Sequence, residues 1–352
     1  MQLVSEYRRV AQMMSFAGSM QWNLVVMRED LLSRIEHSPD QDLKNCTKDL
    51  LKRFAAWTQP LQTVEAAALF EEYGEAVCLL EIKSRGAVKG LKVRRLSIQS
   101  RAKVGLKTPD IECTMPDGEI FYIEIKVLDM AGGHIAAKEL IEAAFENRIE
   151  MEQRFEPGTT FSRPLVISPH GKGASGRPSA ALLDDYIRRI NSNVKKAQVT
   201  VGPTFLLIFD ARIPLSTYDS SCLAPAYYQL PRGTKQILLG ECVSGDWWHV
   251  GFGESGDLLL GESEFEGKGN LGGRLRADGV LVSHPYLFGL SVLSQMHSKA
   301  ELRLFTLAQT ERSNLPETER FEAFEPDTAA NFFSDAFNDA RNSGGWQYQT
   351  RT

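Results

Sequence analysis

Cysteine is scarce: five in 352 residues, at Cys46, Cys78, Cys113, Cys222 and Cys242. Their number is odd, their spacing wide, and no Cys-x-x-Cys pair or Cys/His cluster occurs. This excludes a disulfide scaffold and a zinc finger from the reading, and it fits a reducing cytoplasm. Cys78 and Cys113 stand in apolar patterns and read as small buried side chains. There is no apolar stretch of about 18 residues, so no transmembrane helix is expected. Residues 1–9 are polar and charged, with no long apolar run behind them, so no signal peptide is expected either. Gly-x-Ser-x-Gly is missing, which leaves a serine hydrolase unsupported. Gly171–Pro178 resembles a phosphate loop only in its glycines, because Pro178 stands where a Lys-Ser/Thr pair belongs. It reads as a loop whose Lys172 and Arg177 touch, at most, a substrate backbone. The six histidines show no metal-ligand spacing.

Excess charge of one sign is also lacking. Lys and Arg number 40 against 45 Asp and Glu, for a formal net charge of −5. The distribution says more than the total. From Lys83 to Lys107 the chain carries nine basic residues (Lys83, Arg85, Lys89, Lys92, Arg94, Arg95, Arg101, Lys103 and Lys107) and no acid. Arg94, Arg95, Arg101, Lys103 and Lys107 are the candidates for tracking a phosphate backbone. Edge-strand protection by lysines is the plainer account of the same cluster.

What is present is an ordinary soluble composition, 43% hydrophobic, with enough chain for two or three domains. Residues 1–60 read as mostly helical, broken at Ser38-Pro39-Asp40. A second helix is expected over 62–82, with Leu69, Tyr73, Ala76, Val77 and Leu80 as its apolar stripe. Gly86 to Gly105 reads as one or two short strands. Helices are expected over His134–Phe155 and Ala180–Gln198, a short strand at Leu165–Ser168, and a buried central strand at Phe205–Phe209. Beyond Arg212 short strands and glycines mix with one helix near Tyr286–Met296. Leu302–Leu307 reads as a last strand. From Thr310 on, an acidic, partly mobile tail with one short amphipathic helix is expected. Trp247-Trp248 reads as a packing or partner element, with base stacking as the less favoured role.

The basic segment runs into Pro109-Asp110, and thirteen residues separate Asp110 from Glu124-Ile125-Lys126. Asp110 opens one alternating run. Met115-Pro116-Asp117-Gly118 carries a turn, because Pro presets φ and Gly tolerates the left-handed region. Glu119–Val127 is the returning strand. Alternation puts Phe121, Ile123, Ile125 and Val127 on one face and Ile120, Tyr122, Glu124 and Lys126 on the other. The hairpin thus brings Asp110 back toward Glu124 and Lys126. Two carboxylates and an amine are what a magnesium-dependent phosphodiester hydrolase needs: hard oxygen ligands for the ion, and a cation beside the attacked phosphate. A surface hairpin whose outward face is merely charged is the alternative.

Helix, basic strand, Pro-Asp, turn, Glu-x-Lys, helix resembles the PD-(D/E)XK nuclease superfamily over roughly residues 62–210. The dipeptide alone is unspecific, since Pro-Asp recurs at Pro39, Pro116 and Pro326 and a second Glu-x-Lys stands at Glu81-Ile82-Lys83. The resemblance implies an α/β fold with a restriction-endonuclease-like core: a mixed central sheet flanked by helices. It implies that Asp110 and Glu124 bind Mg²⁺, with Mn²⁺ as a substitute, and that Lys126 positions or activates the attacking water. The superfamily usually adds an acid on the preceding helix. Glu71, Glu72 and Glu75 are available, and the helical wheel favours Glu72 at the edge of the stripe. The expected organisation is a helical region at 1–60, the nuclease core at 61–212, a C-terminal α/β region at 213–310 and the tail at 311–352. The expected partner is nucleic acid, DNA before RNA, with a homodimer or protein partner engaged through the C-terminal region. Defence, restriction or repair are the settings such cores imply.

Overall fold

The computed structural model describes residues 2–16, 20–21, 27–58, 63–96, 108–128, 134–135, 179–199, 201–210, 226–227, 242–244, 246–260, 271–294, 302–309, 321, 324–338 and 347–348. The chain divides into two compact units. One comprises Met1–Val77 with Leu128–Ser175, the other Cys78–Val127 with Gly176–Thr352.

The described residues of the first unit are helical apart from one short antiparallel ribbon, Met20–Gln21 with His134–Ile135. Helices α1 (Gln2–Phe16), α2 (Glu29–His37) and α3 (Gln41–Ala56) pack on one another. The break between α2 and α3 falls at Ser38-Pro39-Asp40. There Asp40 caps α3, its carboxylate accepting from the N–H groups of Asp42 and Leu43 at 2.9 and 3.1 Å. At the other end of α3, Arg9 Nη2 donates to the Phe54 carbonyl at 2.8 Å. Leu31, Leu32, Ile35, Leu50, Phe54 and Trp57 are buried.

Helix α4 (Thr63–Val88) crosses the division between the units. It runs six residues past its expected end, through Gly86. The stop signal is Gly90, in the left-handed region at φ +77°. Leu91 N–H reaches back to the Gly86 carbonyl at 2.9 Å, and Gly90 N–H to that of Ala87 at 3.3 Å. This is a Schellman ending, which needs a residue without Cβ at its left-handed position.

The second unit is built on a mixed eight-stranded sheet. Its strands are β1 (Lys92–Arg95), β2 (Ile111–Thr114), β3 (Ile120–Leu128), β4 (Thr204–Asp210), β5 (Gly289–Ser294), β6 (Arg303–Ala308), β7 (Ala336–Asn338) and β8 (Gln347–Tyr348). They lie side by side in chain order. β1, β2 and β3 form an antiparallel meander. β4 and β5 are parallel, β6 runs antiparallel to β5, and β7 is parallel to β6.

Each face of this sheet has its own cover. On one, Phe121 of β3 and Phe205 of β4 meet Phe324 and Phe333, the latter on helix α7 (Pro326–Phe333), with ring centroids 5.4–6.4 Å apart. On the other, helix α6 (Asp246–Phe252) approaches so closely that a Cβ on Gly251 would stand 2.5 Å from Leu307 Cδ1. Helix α5 (Ser179–Asn193) packs against α6 and against the ribbon strand Leu271–Arg274.

Three expectations are corrected here. The stretch Tyr286–Met296 holds strand β5, not a helix. Its residues from Gly289 to Ser294 are all buried between β4 and β6, and a strand covered on both faces loses the alternation that would identify it. Leu302–Leu307 is a strand but not the last. Residues 324–338 are not a tail: Phe324, Phe333 and Phe337 are buried, and β7 extends the sheet. The expected boundaries at 212 and 310 therefore cut through one sheet. The expected helix over His134–Phe155 and strand at Leu165–Ser168 lie outside the described residues, except that His134–Ile135 pairs with Met20–Gln21 as a short strand.

Candidate functional site

The β2–β3 hairpin closes where Pro and Gly are placed to close it. Gly118 takes φ +95°. Met115 N–H donates to the Glu119 carbonyl at 2.8 Å, and the exposed Asp117 accepts from Glu119 N–H at 3.0 Å. Pairing sets Ile111 against Ile123, Glu112 against Tyr122 and Cys113 against Phe121. Ile111, Cys113, Phe121, Ile123 and Ile125 are buried in the core. Burial pushes the Cys113 thiol up, against any role as a nucleophile at neutral pH.

Asp110 sits at a break in this ladder. Pro109 has no N–H to contribute to the ladder, whereas Asp110 does. Its N–H donates to the Ile123 carbonyl at 3.2 Å, and its own carbonyl accepts from Leu96 at 2.8 Å. Its carboxylate then does what a main-chain carbonyl would otherwise do: Oδ2 accepts from Ile125 N–H at 2.8 Å. The carboxylate is thereby fixed against the peptide that follows Glu124. Asp110 is 8% exposed and Glu124 2%. A buried carboxylate costs several kcal/mol unless it is paired. Lys126 supplies the pair, Nζ lying 2.6 Å from Glu124 Oε1. The lysine side chain remains 22% exposed, so the pair reaches the surface.

The structure thus brings Asp110, Glu124 and Lys126 together on one hairpin. Glu72 is half-buried on α4 and belongs to the first unit, whereas those three belong to the second. The buried carboxylate of α4 in the second unit is Glu81. It is engaged elsewhere, in an ion pair with Arg85, which also binds Asp335 at 3.0 Å and the Leu302 carbonyl at 3.1 Å.

The basic segment divides in the same way. Arg85 is in that network, and Lys89 Nζ donates to the Asn331 carbonyl; both serve the fold. Arg94 lies on β1 with its side chain 66% exposed and bonds Glu112 Oε1 at 2.7 Å. Arg95, half-buried, pairs in register with Ile111. Arg101, Lys103 and Lys107 lie outside the described residues. Trp247 and Trp248 are buried. Trp247 packs on Tyr186, and Trp248 on His249 and Phe252, which leaves neither ring open to a base.

Sequence reasoning also passed over a buried acid outside the hairpin, Asp210. It is 2% exposed at the carboxyl end of β4, in register with the buried Ser294 on the parallel strand β5. A carboxylate directly after the apolar run Phe205–Phe209 was the available signal.

Asp110 and Glu124 suit a hard divalent cation. Mg²⁺ takes one or two protein carboxylates and fills its remaining positions with water and substrate oxygens. A carboxylate has about four lone-pair sites, so the bonds to Ile125 and Lys126 do not exhaust either group. Among the described residues no cluster of three or more His, Cys, Asp and Glu is assembled as a metal cage. No described helix is long and apolar enough to cross a membrane. Comparison with protein-family models, with curated proteins and with solved structures returns no match for this chain.

Proposed function

We propose that the chain is a metal-dependent nuclease that hydrolyses phosphodiester bonds, with DNA as substrate and Mg²⁺ or Mn²⁺ as cofactor. The observation that carries the reading is the conjunction at the hairpin: two buried carboxylates locked on adjacent strands, with a partly exposed lysine 2.6 Å from one of them. The resemblance to the PD-(D/E)XK superfamily, and to its restriction-endonuclease-like core, adds to it. So does the helix, three-strand meander, helix and strand order of α4, β1–β3, α5 and β4.

In this reading Asp110 and Glu124 hold the cation. A divalent ion held by these two carboxylates would supply Lewis acidity, to polarise a phosphoryl oxygen and acidify water. The other work falls to the chain. The Ile125 N–H fixes the Asp110 carboxylate. Lys126 turns from Glu124 toward the substrate, where its charge offsets the charge that gathers on phosphorus-bound oxygen as water adds and the ester oxygen leaves. Burial of both carboxylates keeps their geometry from relaxing with solvent.

The competing reading is a binding module of the same fold without catalysis. The direct Lys126–Glu124 ion pair favours it, since each charge is compensated with no substrate present. One experiment separates the two. Supercoiled plasmid, linear duplex, single-stranded DNA and RNA are incubated with Mg²⁺, Mn²⁺ or EDTA, using wild type, Asp110→Asn and Lys126→Ala. Metal-dependent cutting lost in both variants is the expected result. Binding without cutting on every substrate overturns the nuclease.

A further inference from the structure

This inference rests on the nuclease reading and concerns how its substrate is admitted. Strands β1, β2 and β3 present a common face beside the site. Register places Arg94 against Glu112 and Glu112 against Tyr122, one row across three strands. Asp110 stands two residues from Glu112, and Glu124 two residues from Tyr122, so they share that row's parity one step further on, about 7 Å along the strands. Lys126 stands one step beyond. The order along the strands is therefore Arg94, the two carboxylates, Lys126.

Arg94 does not stand alone in its row. Glu112 Oε1 accepts from its Nη2 at 2.7 Å, with Arg94 66% and Glu112 20% exposed. An exposed pair of this kind is weak in water. A phosphate competes well for a guanidinium, because it offers two oxygens to the planar fork. Tyr122 closes the row. Its phenol pKa is raised by burial and then by the Glu112 carboxylate, so it stays a neutral hydrogen-bonding group.

We propose that Arg94 binds the backbone phosphate next to the one attacked, and that Glu112 is a built-in competitor which holds Arg94 until a polyanion displaces it. Glu112 is a positioning residue that acts through Arg94. A substrate that reaches both Arg94 and the carboxylate pair displaces Glu112 readily, and a mononucleotide or short fragment does not. Glu112 thereby selects for chain length.

The test is equilibrium binding of a fluorescent 20-base-pair DNA duplex in EDTA over a salt series, with four proteins: wild type, Glu112→Gln, Arg94→Gln and the double variant. Glu112→Gln is expected to tighten binding about two- to fivefold at low salt. Arg94→Gln is expected to weaken it and to lower the log–log salt slope by about 0.9, the contribution of one phosphate. In the double variant Glu112→Gln should have no effect. If Glu112→Gln tightens binding equally with and without Arg94, general charge repulsion is at work and the proposal is overturned. No change in either single variant overturns it too. These results leave the nuclease reading intact as long as Lys126→Ala abolishes cutting. A wild type that neither binds nor cuts the duplex removes both.

Discussion

Asp110 does two jobs that substitution can separate. Its carboxylate replaces a backbone acceptor for Ile125 N–H, and its charge is what a cation would use. Asp110→Asn keeps an acceptor and should fold like wild type. Asp110→Ala leaves a buried donor unmet and should lose about 1–3 kcal/mol in urea unfolding. Both should be inactive, and the contrast in stability with equal loss of cutting would show that the charge itself is needed. His249 supplies a second prediction at this scale. Its side chain is fully buried, and burial lowers its pKa from 6.5 to about 4, with Asp257, Nδ1 to Oδ2 3.9 Å, pulling the other way. Below pH 6.5 the unfolded chain takes up a proton that the folded chain refuses. The stability His249 confers is therefore complete above pH 6.5 and is lost as pH falls toward 4, on the order of 3 kcal/mol over the window. Asp257, its own carboxyl raised by burial, opposes this at the acid end. Urea midpoints between pH 7.5 and 4 should fall for wild type and flatten in His249→Gln. An unchanged slope would move the titrating group elsewhere.

At the scale of elements, the ends of α4 and the seat of α7 decide what the sheet rests on. The ending at Gly90 turns the chain from helix into β1. A Cβ there meets the left-handed penalty, so Gly90→Ala should cost about 1–2 kcal/mol with no loss of any contact. Arg85 ties α4 to the start of β6 and to Asp335 before β7, and Asp335 in turn accepts from Leu304 N–H at 2.8 Å. With Glu81 and Asp335 5% and 7% exposed, removing the guanidinium takes from two buried carboxylates the cation that pairs them. Arg85→Ala should cost about 3–5 kcal/mol, read by thermal or urea unfolding. A loss under 1 kcal/mol would mean that water enters the network freely.

For the whole molecule, the C-terminal residues are the test. A mobile acidic tail that shields a basic surface would free activity when removed. The structure instead puts Phe324, Phe333 and Phe337 in the core and adds β7 to the sheet. Truncation after residue 310 should thus lose cooperative unfolding and native near-ultraviolet circular dichroism rather than raise activity. A truncated chain that stays folded and melts sharply would contradict this packing. The same segment engages two residues of the basic stretch, Arg85 and Lys89, through Asp335 and Asn331, about 250 residues away in the chain.

The sequence by itself determined what local chemistry determines. The β2–β3 hairpin, its turn at Pro116–Gly118, the helix break at Ser38-Pro39-Asp40 and the buried run at Phe205–Phe209 follow from side-chain period and φ preference, which act over a few residues. The facing of Asp110 toward Glu124 and Lys126 was legible for that reason. Tertiary structure decided the rest. Burial on both faces made β5 a strand where short-range pattern suggested a helix. Contacts across the chain built residues 324–338 of the expected tail into sheet and core, paired Arg85 with Asp335, and set Glu81 rather than Glu72 as the buried acid on α4 in the unit that holds the hairpin. Such outcomes depend on which surfaces meet, and hydrophobic burial is blind to separation along the chain.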